Sequence, residues 1–186
     1  MKRIFDILLG IIALFMLALP MLFIALLVRL TSRGKAIYWS ERVGKNGVLF
    51  RMPKFRSMQI NTPIVATHLI EFPDKFLSPI GVFIRRSSLD ELPQLFSILK
   101  GDMSFVGPRP ALFNQSDLIK LRKENKVDCL MPGITGWAQI NGRDKLSISD
   151  KVIYDVEYLN RHSILFDIKI ILMTFVKVIK KHGVSH

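Results

Sequence analysis

A long uncharged run near the N-terminus constrains this chain more than any other feature. Residues 7–28 carry no formal charge and are nearly all Leu, Ile, Ala, Phe and Met. As a helix, the run would be roughly 33 Å long, about the thickness of a bilayer's hydrocarbon core. No small-residue cleavage pattern follows it, which argues against a cleavable signal peptide. We therefore expect residues 1–30 to form a membrane helix, and the lack of a second such run excludes a many-pass transporter or channel.

Proline and flanking charge leave the path of this helix open. Pro20 lies inside the run, where it removes a backbone donor and clashes with the preceding turn. Basic residues stand on both sides, at positions 2 and 3 before the run and at 29, 33 and 35 after it, so the positive-inside rule gives no orientation. The alternatives are a kinked single span and a re-entrant hairpin with both flanks in the cytoplasm. The pattern alone favours the span, which is the commoner class.

Charge and hydrophobicity are both high in this chain. Its 186 residues include 27 Lys and Arg against 15 Asp and Glu, a formal charge of +12, while 49% of residues are hydrophobic. This combination indicates a basic protein at a membrane, with affinity for anionic headgroups or a phosphorylated substrate. No nucleic-acid-binding motif is recognisable. The single cysteine, Cys129, excludes an intrachain disulfide, and the four scattered histidines do not suggest a structural zinc site.

Residues 31–186 are amphiphilic and are expected to form a small globular domain. Together with the membrane helix it gives an α+β, mostly helical fold class. Two β-prone runs at 36–40 and 48–52, separated by Gly and Asn-Gly, predict a hairpin. Further predicted elements are an irregular loop over 61–79 and helices over 89–99, 111–125 and Ile164–Ile179. The last helix is amphipathic and either packs in the core or lies on the lipid headgroups.

Two adjacent carboxylates are the first candidate for chemistry. Ser88 and Glu91 match the capping-box pattern Ser-x-x-Glu, and Pro93 suits a first helical turn. This predicts Asp90 and Glu91 at a helix N-terminus, and helix capping alone would explain the pair.

Neighbouring arginines favour a chemical role instead. Arg85 and Arg86 precede the carboxylates, and Arg109 follows between two prolines. Asp90 and Glu91 could hold Mg²⁺ together with substrate phosphate oxygens. A carboxylate can also attack phosphorus to form an acyl phosphate. Arginines would stabilise the charge that spreads over the phosphoryl oxygens.

A glycine-rich cluster at 132–143 is a second, weaker candidate. Three glycines with Thr, Gln, Asn and Arg would suit a nucleotide or pyrophosphate. The cluster matches neither the P-loop nor the dinucleotide fingerprint. By itself an ordinary turn is the simpler interpretation.

Several blocks of sequence resemble one family. SLDELPQL at 88–95, KGDMS at 100–104, VGPRP at 106–110, and PGITG to NGR across 132–143 occur in the order found in the bacterial sugar transferases. The particular likeness is to the small monotopic phosphoglycosyl transferases, which begin glycan assembly on polyprenyl phosphate. The resemblance begins at the Lys-Arg-x-x-Asp motif of residues 2–6 and continues almost to residue 185.

This resemblance implies an activity. The protein would transfer a phospho-sugar from a UDP-sugar to undecaprenyl phosphate, releasing UMP, as the first membrane step of O-antigen, capsule or glycoprotein glycan synthesis. Asp90 would be the nucleophile that becomes phosphoglycosylated and would contact Mg²⁺, with Glu91 as its partner carboxylate. Further substrate-binding residues would be Arg85, Arg109, Lys54, Arg56, Gln139, Asn141 and Arg143.

The resemblance also implies a location and a shape. It favours a re-entrant helix broken at Pro20, in the bacterial inner membrane, with the catalytic domain facing the cytoplasm and interfacial helices around it. Leu19 stands where the family commonly has a serine, and residues 59–76 have no recognisable counterpart, so the sugar stays open. Without a polytopic N-terminal domain, this would be the minimal catalytic form, and a homodimer is left open.

Without the resemblance, the residues are compatible with two other functions. A membrane-anchored basic module that recruits an acidic partner would need no metal. Transfer of the sugar without its phosphate would release UDP instead of UMP.

Overall fold

A computed structural model describes residues 1–63, 73–142 and 145–179. The helices are α1 (Lys2–Thr31), α2 (Gly81–Arg86), α3 (Gln94–Lys100), α4 (Ser116–Glu124), α5 (Trp137–Ile140), α6 (Ile148–Arg161) and α7 (Ile164–Ile179). The strands are β1 (Ile37–Val43), β2 (Leu49–Phe55), β3 (Ser104–Val106), β4 (Ala111–Leu112) and β5 (Gly133–Thr135). Short 3₁₀ turns connect several of them. The predicted mostly helical α+β architecture is confirmed.

The predicted membrane helix is present as α1. Within the described part of the chain, it is the one helix long and apolar enough to cross a bilayer, with a mean hydropathy of 3.0. Helical backbone continues through Pro20, so α1 is one uninterrupted element, and the predicted re-entrant path at this residue stays a prediction. Proline has a helical φ and removes one backbone donor, while every other peptide group in an apolar run gains from staying hydrogen-bonded within the helix.

A single stripe of α1 packs along the rest of the protein. Asp6, Gly10, Met21, Ile24 and Val28 are its buried residues. Their separations of 4, 11, 3 and 4 residues are each close to a whole number of helical turns, which places them on one face. The remaining circumference is exposed and apolar, including Leu8, Ile12, Phe15, Met16, Leu19 and Leu22. The helix therefore joins the domain along one side and presents hydrophobic side chains on the others.

The predicted hairpin is confirmed. β1 and β2 pair antiparallel, from Ile37 opposite Phe55 to Val43 opposite Leu49. The turn between them contains Asn46 with a φ of 55°, a left-handed conformation that asparagine tolerates. β4 pairs with the other edge of β1.

The predicted capping box is wrong. Residues 89–99 divide into a 3₁₀ turn at Leu89–Glu91 and helix α3, which follows Pro93. Ser88 has a φ of 57° and makes no side-chain cap, and its N–H donates instead to the Arg85 carbonyl at the end of α2. Ser88 thus follows α2 in the left-handed conformation typical of helix C-termini, and its carbonyl accepts a hydrogen bond from the Glu91 N–H of the 3₁₀ turn at 3.2 Å.

The sheet also shortens another predicted helix. Residues 111–125 were expected to be helical throughout, yet Ala111 and Leu112 form β4 opposite Val43 and Arg42, and α4 begins at Ser116. Helix α6 was not predicted. The predicted loop over 61–79 contains a 3₁₀ turn at Pro73–Phe76, and residues 64–72 lie outside the described part.

Helix α7 has the predicted bounds and uses one face for the core. Phe166 and Ile170 are buried against Val106, Ile140 and Tyr158. Leu165, Leu172 and Phe175 are exposed on the same helix. Core packing therefore accounts for one face of α7, while its other face presents apolar side chains outward.

Candidate active site

Asp90 and Glu91 lie on the 3₁₀ turn between α2 and α3, and each is only 8% exposed. The turn is held against the hairpin, since Lys54 of β2 reaches its carboxylates. Two adjacent acidic residues at such burial need compensating charge. The structure supplies it from several separate segments.

Glu91 connects two of these cations. Its Oε1 accepts hydrogen bonds from Lys54 Nζ at 2.8 Å and from Arg109 Nη2 at 2.9 Å. The Lys54 and Glu91 side chains are 15% and 10% exposed, so this pair is little screened by solvent, whereas the Arg109 side chain is 31% exposed. Glu91 therefore fixes the positions of Lys54 and Arg109 beside Asp90.

Burial dominates the electrostatics of Asp90 and Lys54. It raises the pKa of the Asp90 carboxyl, an effect that the Lys54 charge opposes and the Glu91 charge reinforces. Burial likewise lowers the pKa of the Lys54 ammonium, with Glu91 opposing. The two groups are thus partly desolvated and depend on each other for their charged forms.

Asp90 faces a cavity of about 240 Å³, which we call the Asp90 cavity. Its polar lining includes Arg42, Lys54, Arg56, Ser57 and Arg85. Four cations around one carboxylate suit a ligand with several negative charges, such as a diphosphate.

Arg42 is a member of this cavity that the sequence did not reveal. It donates to Ser40 Oγ at 3.0 Å and to the Pro110 carbonyl at 3.1 Å. Burial and the nearby Arg109 charge lower the pKa of Arg42 to about 10. The available signal was alternation along β1, which places residues 40 and 42 on one face of the strand.

Glu91 borders a second cavity, of about 370 Å³, which we call the Glu91 cavity. It lies between α1, which contributes Ala13 and Leu17, and α7, which contributes Thr174 and Lys177. Arg109 also lines it. The adjacent carboxylates therefore border different cavities.

Gln139 lines the Glu91 cavity as well. Its Nε2 donates to the Ile134 carbonyl at 2.8 Å, while its buried Oε1 has no hydrogen-bond partner among the described residues. A buried acceptor atom without a partner can accept a hydrogen bond from a donor group of a bound ligand.

The remaining predicted site residues have other surroundings. Arg56 donates to the Lys35 carbonyl at 2.9 Å and lies 5.8 Å from the centre of the Tyr38 ring. Asn141 uses its side-chain amide to bond the Trp137 carbonyl at 2.8 Å, which ends α5. Arg143 lies outside the described residues.

The glycine-rich cluster has a structural use. β3 and β5 pair in parallel, with Val106 opposite Thr135. A Cβ on Gly107 would lie 2.1 Å from the Met131 carbonyl oxygen, and one on Gly136 would lie 2.1 Å from the Gly107 oxygen. These glycines permit close packing of two backbone segments, which fixes the loop that carries Arg109.

A buried ion pair supports Arg109 from behind. Arg122 of α4 donates through Nη1 to the Arg109 carbonyl at 2.7 Å. Its Nε and Nη2 donate to Asp155 Oδ2 of α6 at 2.9 and 2.8 Å. Burial raises the pKa of Asp155, and the Arg122 charge opposes that rise. Sequence analysis missed both residues, because 33 positions separate them.

A metal would need ligands from outside the protein. Among the described residues, no group of three or more His, Cys, Asp and Glu side chains could hold a metal ion. Asp90 and Glu91 supply two carboxylates, which suits Mg²⁺ when substrate phosphates complete its oxygen shell.

A buried carboxylate pair among cations, beside a helix apolar enough to cross a bilayer, is the arrangement expected of an enzyme that acts on phosphorylated ligands at a membrane. Comparison with known sequences agrees with this class. The sequence model of the bacterial sugar transferase family matches residues 1–181, so the chain belongs to this family of enzymes. The resemblance inferred from the sequence is confirmed.

Individual relatives make the comparison more specific. The chain is 39% identical, over 95% of its length, to the Escherichia coli UDP-glucose:undecaprenyl-phosphate glucose-1-phosphate transferase. It is 37% identical, over 98% of its length, to the Salmonella typhimurium undecaprenyl-phosphate galactose phosphotransferase. It spans only 40% and 41% of these two proteins. Against the Bacillus subtilis uncharacterized sugar transferase EpsL, identity is 38% over the whole chain and 90% of the relative.

Proposed function

We propose that this protein transfers a sugar 1-phosphate from a UDP-sugar to undecaprenyl phosphate, releasing UMP and forming a polyprenyl diphosphosugar. The proposal rests mainly on one observation, the buried pair Asp90 and Glu91 that borders two cation-lined cavities. The substrates named for the Escherichia coli and Salmonella relatives support it. Such a reaction would initiate a bacterial surface glycan.

The first step is a displacement at phosphorus. A carboxylate oxygen of Asp90 attacks the phosphorus that bears the sugar, and the bond from that phosphorus to the UMP oxygen breaks. UMP leaves with the electron pair, and a covalent aspartyl phosphosugar remains. Arg42, Lys54 and Arg85 lie where they would stabilise the negative charge on the phosphoryl oxygens.

The second step returns Asp90 to its starting state. A phosphate oxygen of undecaprenyl phosphate attacks the same phosphorus, and the phosphorus–Asp90 oxygen bond breaks. The carboxylate is restored, and no net proton is needed. Glu91 keeps Lys54 and Arg109 in place through both steps.

Mg²⁺ is proposed as the cofactor. Asp90, together with the diphosphate oxygens of the UDP-sugar, would hold it in the Asp90 cavity. When bound, it would neutralise charge on the diphosphate. Because protein carboxylates are few and cations many there, we expect tight metal binding to require the nucleotide-sugar.

The placement of α1 supports a monotopic arrangement at the inner membrane. Near its N-terminus, Arg3 donates to the Leu99 carbonyl at 2.7 Å and Asp6 accepts from Ser104 Oγ at 3.0 Å. Near its C-terminus, Val28 is buried in the cluster that contains Phe55 and Ile84. Since both ends contact the same domain, we propose that α1 enters and leaves the membrane on the cytoplasmic side.

Nucleotide release tests the proposed reaction. The full chain in lipid nanodiscs is incubated with Mg²⁺, undecaprenyl phosphate and either UDP-glucose or UDP-galactose, and UMP and UDP are quantified separately. We expect UMP release, its loss in Asp90→Asn, and its retention in Asp117→Asn, a matched change on the exposed surface of α4.

The covalent intermediate is tested in the absence of the acceptor, undecaprenyl phosphate. Wild-type protein with UDP-sugar should gain the mass of one phosphosugar on the peptide that contains Asp90. UDP release in place of UMP would establish transfer of the sugar alone and contradict the mechanism.

A further inference from the structure

The Glu91 cavity has walls from two elements with outward-facing apolar surfaces. Ala13 and Leu17 of α1 form one wall, and Thr174 and Val178 of α7 contribute to another. On the remaining faces of α1, Phe15 and Met16 are 86% and 72% exposed, as expected for a helix that contacts lipid. The cavity therefore adjoins the hydrophobic part of the membrane helix.

Charge in the Glu91 cavity is concentrated in a few side chains. Arg86, Arg109, Lys145 and Lys177 line it together with Glu91. Lys177 also donates to the Ile140 carbonyl, which places its ammonium at the cavity. Most other lining residues are apolar, among them Leu92, Leu95, Phe105 and Ile134. The chemistry complementary to this lining is an anionic head on an apolar chain.

The Asp90 cavity has a different lining. It lies on the hairpin side of the carboxylate pair, with contributions from Tyr38, Arg42, Lys54 and Arg56. Neither α1 nor α7 contributes to it. A soluble, multiply charged nucleotide fits this environment better than a lipid does.

We infer that the Glu91 cavity is the acceptor subsite, which holds the phosphate and first isoprene units of a long-chain isoprenoid phosphate monoester. The Asp90 cavity then holds the nucleotide-sugar, so the two substrates approach the carboxylate pair from different sides. Lys177 and Arg109 contact the acceptor phosphate, and Ala13 and Leu17 contact the chain. This inference rests on the proposed function and adds which cavity receives each substrate.

A matched pair of substitutions on α1 tests the inference. Ala13→Phe places a ring in the cavity wall, whereas Ala18→Phe adds the same ring at an exposed position of the same helix. Both proteins are studied as full chains in nanodiscs. Two quantities are measured for each, namely the KM for undecaprenyl phosphate and the rate of the UMP burst with UDP-sugar and no undecaprenyl phosphate.

The expected result is selective. Ala13→Phe should raise the KM for undecaprenyl phosphate by about tenfold, since a filled subsite loses packing with the chain, while the UMP burst rate changes by less than about twofold. Ala18→Phe should change neither quantity. An unchanged lipid KM, an equal loss in both half-reactions, or the same effect from Ala18→Phe would each overturn the assignment.

A second pair covers the case in which Ala13→Phe does not fold. Lys177→Gln should raise the lipid KM and leave the burst intact, whereas Lys169→Gln, exposed elsewhere on α7, should change neither. A burst loss in Lys177→Gln with an unchanged lipid KM would instead place the nucleotide in this cavity. Wild-type protein without any UMP release would contradict the proposed function itself, and active protein with unaltered lipid KM in these variants would contradict the subsite alone.

Discussion

Single side chains in this site are tuned by their neighbours. In the proposed mechanism Asp90 must be ionised to attack phosphorus, yet burial raises its pKa. The Lys54 charge is the largest opposing influence, ahead of Arg85 and Arg109. Because Lys54 is itself desolvated, its own pKa is lowered. The charged form of Asp90 therefore depends on a strand residue, Lys54, which lies 36 residues earlier in the chain.

This dependence predicts a pH shift. Activity should fall as pH decreases through the pKa of Asp90, which lies above the ordinary value of about 4 for aspartate. In Lys54→Met the carboxylate loses its main counter-charge, so the pKa rises further and the acid limb of kcat/KM moves to higher pH. Arg51→Met, an exposed change on the same strand, should leave the limb in place. A limb that stays or moves to lower pH in Lys54→Met would show that Lys54 does not control Asp90.

At the scale of secondary-structure elements, α4 and α6 act as a support for the loop that bears Arg109. Arg122 and Asp155 join these helices through a buried pair whose side chains are 11% and 2% exposed. The same guanidinium bonds the Arg109 carbonyl. Both helices thus support the site by holding the Arg109 loop, although neither of them supplies a proposed catalytic group.

We predict that substitutions in this pair affect the stability of the protein and its activity differently. Arg122→Met leaves the Asp155 carboxylate buried without its partner and should cost about 3 kcal/mol of unfolding free energy, as for other broken buried pairs. The double change Arg122→Met with Asp155→Leu should recover most of that loss, because the uncompensated charge is removed. Its kcat/KM should stay low, since Arg109 is no longer held.

Chemical denaturation and steady-state kinetics on the three proteins check this prediction. Full recovery of kcat/KM in the double variant would mean that the pair serves stability only. Addition of Asp155→Asn alone to the series distinguishes loss of charge from loss of shape.

At the scale of the whole molecule, the long apolar helix and the catalytic domain form one body. α1 contacts the domain near both of its ends, through Arg3 and Asp6 at one and Val28 at the other. A helix that crossed to the far side of a bilayer would carry one end away from the domain. These contacts support the proposed arrangement, in which α1 enters and leaves the membrane on one side.

Cysteine labelling tests this topology. In a Cys129→Ser background, one cysteine is inserted after Met1 and, in a second protein, Lys35→Cys is made at an exposed position. A membrane-impermeant maleimide should label both proteins in inverted inner-membrane vesicles and neither in intact spheroplasts. Labelling of the two cysteines from opposite sides would establish an ordinary span.

Local patterns were sufficient for part of this molecule. Hydrophobic length located α1, Asn-Gly punctuation located the hairpin, and helical periodicity gave the bounds of α7. Adjacent carboxylates near arginines indicated Asp90 and Glu91 as the candidate reactive pair, and the structure shows both to be buried. Each of these signals lies within a short stretch of sequence, where the residue types alone favour one local structure.

Other features depended on contacts between distant segments. Ala111 and Leu112 sit in a helix-prone run, yet pairing with β1 makes them a strand. Pairing across the chain satisfies backbone groups that local propensity would have placed in a helix.

The sequence by itself therefore determined the class of protein, the membrane helix and the carboxylates. Only the tertiary structure decided which cations meet those carboxylates, that Arg122 and Asp155 stand behind Arg109, and that Asp90 and Glu91 border separate cavities. The physical reason is that charge compensation and cavity shape arise from segments far apart in the chain, whose approach is fixed by burial of the core and not by any local pattern.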